Sequence, residues 1–214
     1  MRSRCLIAIV ILLGIAAFLA GVIRAQDQPP GQKPKPSMPS SLQPEAAASA
    51  PARSPAEKYF SDVELINQDG QKMRFYSDVL KDKVVVINTF FITCTSVCPP
   101  LNRNMEKVQE ALGDRLGKDA FLVSISVDPT ADTPTRLKEY SGRFHARPGW
   151  IFLTGKKENV DWALYKLGQY VEDKDGHSTI IIIGNEPKGL WKKAFGLAKP
   201  DELIKIVEDV INDR

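Results

Sequence analysis

Histidine and cysteine are the scarce residues of this chain, two and three respectively in 214. Cys5 falls in an apolar N-terminal run with no lipobox pattern around it, so the soluble part carries one cysteine pair, Cys94 and Cys98. A structural zinc site is disfavoured, because such sites want four protein ligands and only three are evident. The chain has no Gly-rich phosphate loop, internal repeat or zinc-finger spacing. Charge of one sign is missing too: from residue 56 onward 23 Lys and Arg stand against 24 Asp and Glu, and the overall +3 comes from the N-terminal segment. With no basic stripe, nothing points to nucleic acid as a partner.

A long apolar run is present once. Arg2 and Arg4 precede it, it extends from Cys5 to Ile23, and Arg24 closes it. As a helix these nineteen residues reach about 28 Å, close to the ~30 Å hydrocarbon core of a bilayer. Cleavable signals have shorter apolar regions, about 7–15 residues, and Ile23-Arg24-Ala25 is a poor cleavage site. Residues 1–25 therefore read as an uncleaved anchor, with a cleaved signal as the alternative. The two arginines would hold the N-terminus in the cytoplasm and send the rest outward. Residues 26–55 hold eight of the fifteen prolines and no aromatic residue. They read as a disordered linker, about 30 Å root-mean-square in span. A basic, serine-rich transit peptide is absent, so the expected setting is a bacterial inner membrane with the globular part on the periplasmic side. Residues 56–214 form one domain, large enough to build a core without staples.

Hydrophobic period orders that domain. Val63 to Asn67 and Met73 to Tyr76 flank Asp69-Gly70 as a hairpin. Val84 to Phe91 and Phe121 to Val127 read as strands buried on both faces. A helix over Pro99 to Leu112 stops at Gly113, and a second starts at Thr133-Pro134. Then come a short strand at Trp150 to Leu153 and a helical face at Val160, Ala163, Leu164 and Leu167. A hairpin at Thr179 to Ile183 and Trp191 to Phe195 precedes an amphipathic helix ending in Val210 and Ile211. This order predicts an α/β three-layer sandwich with a largely parallel core and an N-terminal β-hairpin. Sites in such sheets gather at the carboxyl ends of parallel strands. The loops holding Cys94, Cys98 and Asp128 follow two of those strands.

Cys94 and Cys98 are four residues apart, just before Pro99-Pro100. That spacing lets two thiolates converge on a soft metal, or lets a disulfide close if the turn unwinds somewhat. A helix start supplies unpaired N–H groups and the positive dipole end, and so predicts lowered pKa values for both thiols. His145 reads as a surface residue. His177, just before the strand at Thr179, is either a loop residue or the imidazole that two thiolates lack as a third donor. Asp132 reads as a helix cap. Asp128 either fixes a turn or brings a carboxylate near the thiols.

Several segments resemble the Sco/SenC family. They are Cys94-Thr95-Ser96-Val97-Cys98-Pro99, Ser126-Val127-Asp128-Pro129 with Asp132-Thr133-Pro134, Leu137 and Tyr140, Trp150 with Leu153-Thr154-Gly155, and His177-Ser178. The resemblance implies a thioredoxin-like fold, a membrane tether, and one copper ion on Cys94, Cys98 and His177. It also implies delivery of that copper to the CuA site on subunit II of cytochrome c oxidase. Many members carry Pro-Asp where this chain has Thr95-Ser96, and Asp where it has Gly176. Asp175 and Asp128 are left as candidates for a carboxylate behind the ligands. A second function class is open to the same residues. Cys94 and Cys98, cycling through a Cys94–Cys98 disulfide, suit a thiol–disulfide oxidoreductase acting on oxidase subunit II or another exported protein.

Overall fold

The computed structural model describes residues 35–42 and 54–213. The expected anchor lies outside these residues. Among those described, no helix is long and apolar enough to cross a membrane. The expected linker is described only in part. Its residues 35–42 are not free chain: Pro36 and Pro39 are buried, and Leu42 packs against the domain's apolar core.

Seven strands build one sheet: β1 (Glu64–Asn67), β2 (Lys72–Arg74), β3 (Val84–Phe90), β4 (Phe121–Ser126), β5 (Trp150–Thr154), β6 (Ile180–Asn185) and β7 (Leu190–Phe195). The helices are α1 (Pro55–Phe60), α2 (Cys98–Leu112), α3 (Pro134–Gly142), α4 (Lys157–Lys166) and α5 (Pro200–Asn212). Strand order is β2-β1-β5-β4-β3-β6-β7. Parallel pairing is confined to β3, β4 and β5. The outer pairs are antiparallel, so the core is less parallel than the sequence suggests.

Alternation along the strands separates two cores. Val86, Phe90, Leu122 and Phe152 face α2, α3 and α5. Val85, Ile87, Val123 and Ile125 face α1 and α4. This is the three-layer sandwich that the order of elements predicts. One element differs. The expected strand at Met73 to Tyr76 ends early, and Phe75–Leu80 coils into a π-helical turn. Asp78 drives the change: its carboxylate takes the Arg74 backbone N–H at 2.7 Å and the Arg74 guanidinium at 2.9 and 3.1 Å. Coiling also buries Phe75, Tyr76, Val79 and Leu80 together, which an extended strand would divide between two faces.

The last turn of the sheet positions α2. Asn104 on α2 donates to the carbonyls of Gly196 and Ala198, at 2.7 and 2.9 Å. Gly196 has to be glycine there, because a Cβ would come within 2.6 Å of the Thr179 carbonyl and 2.7 Å of Leu101.

Candidate metal centre

The cysteine loop leaves the carboxyl end of β3 and runs directly into α2. Pro99 and Pro100 fill the first turn of that helix and bring no N–H groups. The Cys98 N–H is accepted by Cys94 Sγ at 3.4 Å, and the Leu101 N–H by the Val97 carbonyl at 3.2 Å. The N–H groups of the helix start therefore serve Cys94, while Cys98 has a backbone hydrogen bond from Phe91, ahead of the loop.

Burial raises the pKa of Cys94, but hydrogen bonds from the Cys98 thiol, the N–H groups of Cys98 and Ser96, and the Ser96 hydroxyl outweigh it, and the net shift is downward. Cys98, only 1% exposed, moves the other way. Burial, with the Cys94 sulfur adding to it, raises its thiol far above the ordinary range. This corrects the expectation of two lowered thiols. The helix start activates one sulfur, and burial outweighs the single Phe91 backbone hydrogen bond at the other. Both cysteines are free thiols.

His177 arrives from the other end of the chain. Strand β6 runs antiparallel to β3, with Ile182 opposite Ile87, so the start of β6 lies beside the end of β3. Thr89 at that end donates to the Ser178 carbonyl at 3.3 Å. The imidazole Nε2 lies 3.2 Å from Cys98 Sγ. Its Nδ1 lies 2.9 Å from the Lys174 carbonyl. A carbonyl oxygen can only accept, so Nδ1 carries the proton and Nε2 presents its lone pair. Burial lowers the pKa of His177 and favours this neutral ring. One donor atom from each of Cys94, Cys98 and His177 lies within 4.8 Å of the other two. Two sulfurs and one neutral imidazole make a soft, three-donor set, which fits Cu(I) and falls short of a four-ligand structural zinc site.

The carboxylates sit differently from their sequence reading. Asp132 does not cap α3. Thr133 does, accepting the Arg136 N–H at 3.5 Å. Asp132 is buried at 1% exposure and accepts the Ile92 N–H at 3.1 Å and the Ser126 hydroxyl at 2.7 Å. It thus pins the turn leading into Cys94. Asp128 reaches the histidine loop rather than the thiols, through an ion pair with Lys174 at 2.7 Å. Asp175 is exposed, and the imidazole's orienting partner is the Lys174 carbonyl. His145 is exposed, with a 2.7 Å contact to Glu106.

Beneath α2 runs a buried polar chain that the sequence reading missed. Trp150 Nε1 donates to Ser124 at 2.9 Å, and Ser124 to Asn88 at 2.6 Å. Asn88 donates to Asn102 at 2.8 Å, and Asn102 to the Tyr140 hydroxyl at 2.9 Å. The chain joins β3, β4, β5, α2 and α3 under the cysteine pair. Asn88 and Ser124 interrupting otherwise apolar strand runs were the available signal.

The SCO1/SenC family model matches residues 51–212. The SCO2-like protein of Rickettsia felis is 38% identical over 162 residues, covering 71% of this chain and 76% of that protein. The match to the SCO2-like protein of Rickettsia conorii is confined to 48% of each chain. The copper-bound structure of Bradyrhizobium japonicum ScoI superposes with a TM-score of 0.58 at 25% identity, over 70% of this chain and 98% of that one. A structure of BsSco, described as a member of the Sco family of cytochrome c oxidase assembly proteins with a disulfide switch, gives 0.58 at 25% identity over 71% and 92%.

Proposed function

The chain belongs to the SCO1/SenC family, and from that premise we propose that it binds one copper ion through Cys94, Cys98 and His177 and delivers it to the CuA site on subunit II of cytochrome c oxidase. The observation that carries this reading is the convergence of two sulfurs and an imidazole lone pair within 4.8 Å. Copper is the cargo here. Thiolate and imidazole suit it, and three donors leave a position open for a receiving ligand. The tether belongs to the same proposal: residues 1–25 anchor the chain in a bacterial inner membrane, 26–55 link, and the 56–214 domain works on the periplasmic side.

A second reading is supported by the opposed thiols. Cys94, with its lowered pKa, can attack a substrate disulfide as thiolate and release one substrate thiolate. Cys98 then gives up its proton to that thiolate and attacks Cys94 Sγ. The products are a reduced substrate dithiol and the Cys94–Cys98 disulfide. This step needs no histidine.

His177→Ala separates the two. As a copper carrier, the variant loses stable Cu(II) binding, binds Cu(I) more weakly against a chelator, and fails to support oxidase assembly at limiting copper. Its thiols still exchange. A normal oxidase in that strain would sink the carrier reading and favour the reductase. Reduced wild-type protein should take up one equivalent of Cu(I) anaerobically. The double variant Cys94→Ser, Cys98→Ser should take up none, and unchanged uptake would remove the site itself.

A further inference from the structure

Lys174 holds the histidine loop from two sides. Its carbonyl accepts the His177 backbone N–H at 3.1 Å and the imidazole Nδ1–H at 2.9 Å. Its ammonium reaches across to Asp128, after β4, at 2.7 Å. The same ammonium stands 5.2 Å from the centre of the Phe91 ring, and Phe91 meets the His177 ring edge-on at 5.2 Å. One residue therefore fixes the imidazole's tautomer through its backbone and, through its side chain, clips that backbone to the loop after β4 and over Phe91 at the head of the cysteine loop. In the turn Lys174–Gly176 that precedes His177, Asp175 and Gly176 are exposed and Lys174 is half-buried.

We infer that Lys174 is a positioning residue, an ionic clip between the histidine loop and the loop after β4 that sets how fast the His177 imidazole leaves bound copper. The inference rests on the copper reading of the site. The clip is built at the rim: the Lys174 and Asp128 side chains are 40% and 17% exposed. Water and salt can reach it, so it is weak enough to open during transfer. A cation over an aromatic face adds to the pairing. Opening the clip leaves both sulfurs in place and frees only the histidine loop. A receiving protein that offers its own carboxylate to Lys174 would loosen the imidazole as it docks.

The test uses the full chain as wild type, Lys174→Met, Lys174→Arg and Asp128→Asn. The first readout is nitrogen-15 NMR of the His177 ring in the metal-free, reduced protein. Wild type should show Nδ1–H and an unprotonated Nε2, whereas Lys174→Met and Asp128→Asn should drift toward an exchange average. The second is copper release from Cu(II)-loaded protein to excess EDTA in stopped flow. An exposed ion pair predicts release about two- to fivefold faster in Lys174→Met and Asp128→Asn. Lys174→Arg should stay near wild type. High salt should speed wild type and leave Lys174→Met unchanged. Equal release rates at every salt concentration, with superposable imidazole resonances, overturn the clip. If wild type itself takes up no copper, the copper reading fails, and the ring resonances alone still decide whether Lys174 orders His177.

Discussion

Replacing Asp132 with alanine tests how the cysteine loop is held. The wild-type carboxylate accepts two donors, the half-buried Ile92 N–H and the buried Ser126 hydroxyl. Ser126 Oγ already accepts the Asp128 N–H at 3.0 Å, so its own proton is committed to Asp132. Alanine strands both donors, and each costs about 1–3 kcal/mol when buried and unpaired. Relief of the buried carboxylate offsets part of this, since burial is the main reason its pKa is raised. A net loss of about 2 kcal/mol follows, or ~4–8 °C in Tm for a domain of this size. Asp132→Asn keeps one acceptor oxygen and should lose less. The sign with pH is defined. A raised carboxyl pKa means the folded state holds the proton more tightly. This group's contribution to stability therefore falls as pH rises from the ordinary carboxyl value through the raised one, and is flat above. Asp132→Asn lacks that slope, so wild type should lead it by more in acid than at neutral pH. Urea and thermal unfolding of the reduced protein measure all three. Thr133→Ala is the control, because it removes a helix cap and leaves the cysteine turn alone. Cys94 alkylation should change in Asp132→Ala and not in Thr133→Ala. An Asp132→Ala protein within about 0.5 kcal/mol of wild type, with unaltered Cys94 reactivity, would refute this account of the loop.

Iodoacetamide on the reduced wild-type protein should modify Cys94 first. Each pKa unit between two thiols is tenfold in thiolate, of which the weaker nucleophilicity of the more acidic thiol returns about threefold. With Cys98 also shielded, peptide mapping should find at least about tenfold preference, and equal labelling would mean the thiols are not differentiated. Copper uptake should tighten with pH. Cys98 keeps its proton through neutrality because burial raises its pKa, so each Cu(I) bound displaces at least that proton, and the apparent affinity climbs about tenfold per pH unit. Below the lowered pKa of Cys94 a second proton is displaced and the slope steepens. The lowered pKa of His177 keeps imidazole protonation from competing until pH falls below the usual histidine range. A pH-independent affinity, measured by chelator competition, would mean that copper is not displacing thiol protons.

The strands and helices of the domain were legible because period and punctuation agree along most of it. Val84 to Phe91 is mostly apolar and β-branched, and it lies inside the sheet between β4 and β6. Gly113 and Pro134 mark helix ends where the structure has them. The direction of the outer strands was not legible, since apolar pattern encodes burial and not pairing sense. That Cys94, Cys98 and His177 belong together was suggested by donor chemistry and by resemblance, while the reason they meet is topological. What stayed hidden was second-level support. The Lys174 carbonyl holds the imidazole Nδ1, where the sequence reading had only Asp175 and Asp128 as candidates, and a backbone oxygen leaves no trace in residue identity. Asp132 looked like a cap because it stands one position before Thr133-Pro134. Its carboxylate instead turns inward, where two otherwise unpaired donors are waiting. The proline pair was visible, but the outcome, one thiol lowered and one raised, depends on which sulfur the Cys98 and Ser96 N–H groups face and which is buried.

The pairing of β6 with β3 has a consequence for how the protein matures. Cys98 and His177 are 79 residues apart in sequence, and they become neighbours only when the C-terminal hairpin adds to the sheet. A chain emerging amino end first displays its two thiols long before the third donor exists. In that interval the pair has the chemistry of any exposed dithiol, open to oxidants and to metals that need two sulfurs. Long-range pairings of this kind form late, so completion of the three-donor set reports that folding is finished. Metal held by all three then returns stability to the pairing that made the site. A weakened β6 should therefore appear first as an error of metallation or oxidation, before it is seen as loss of fold.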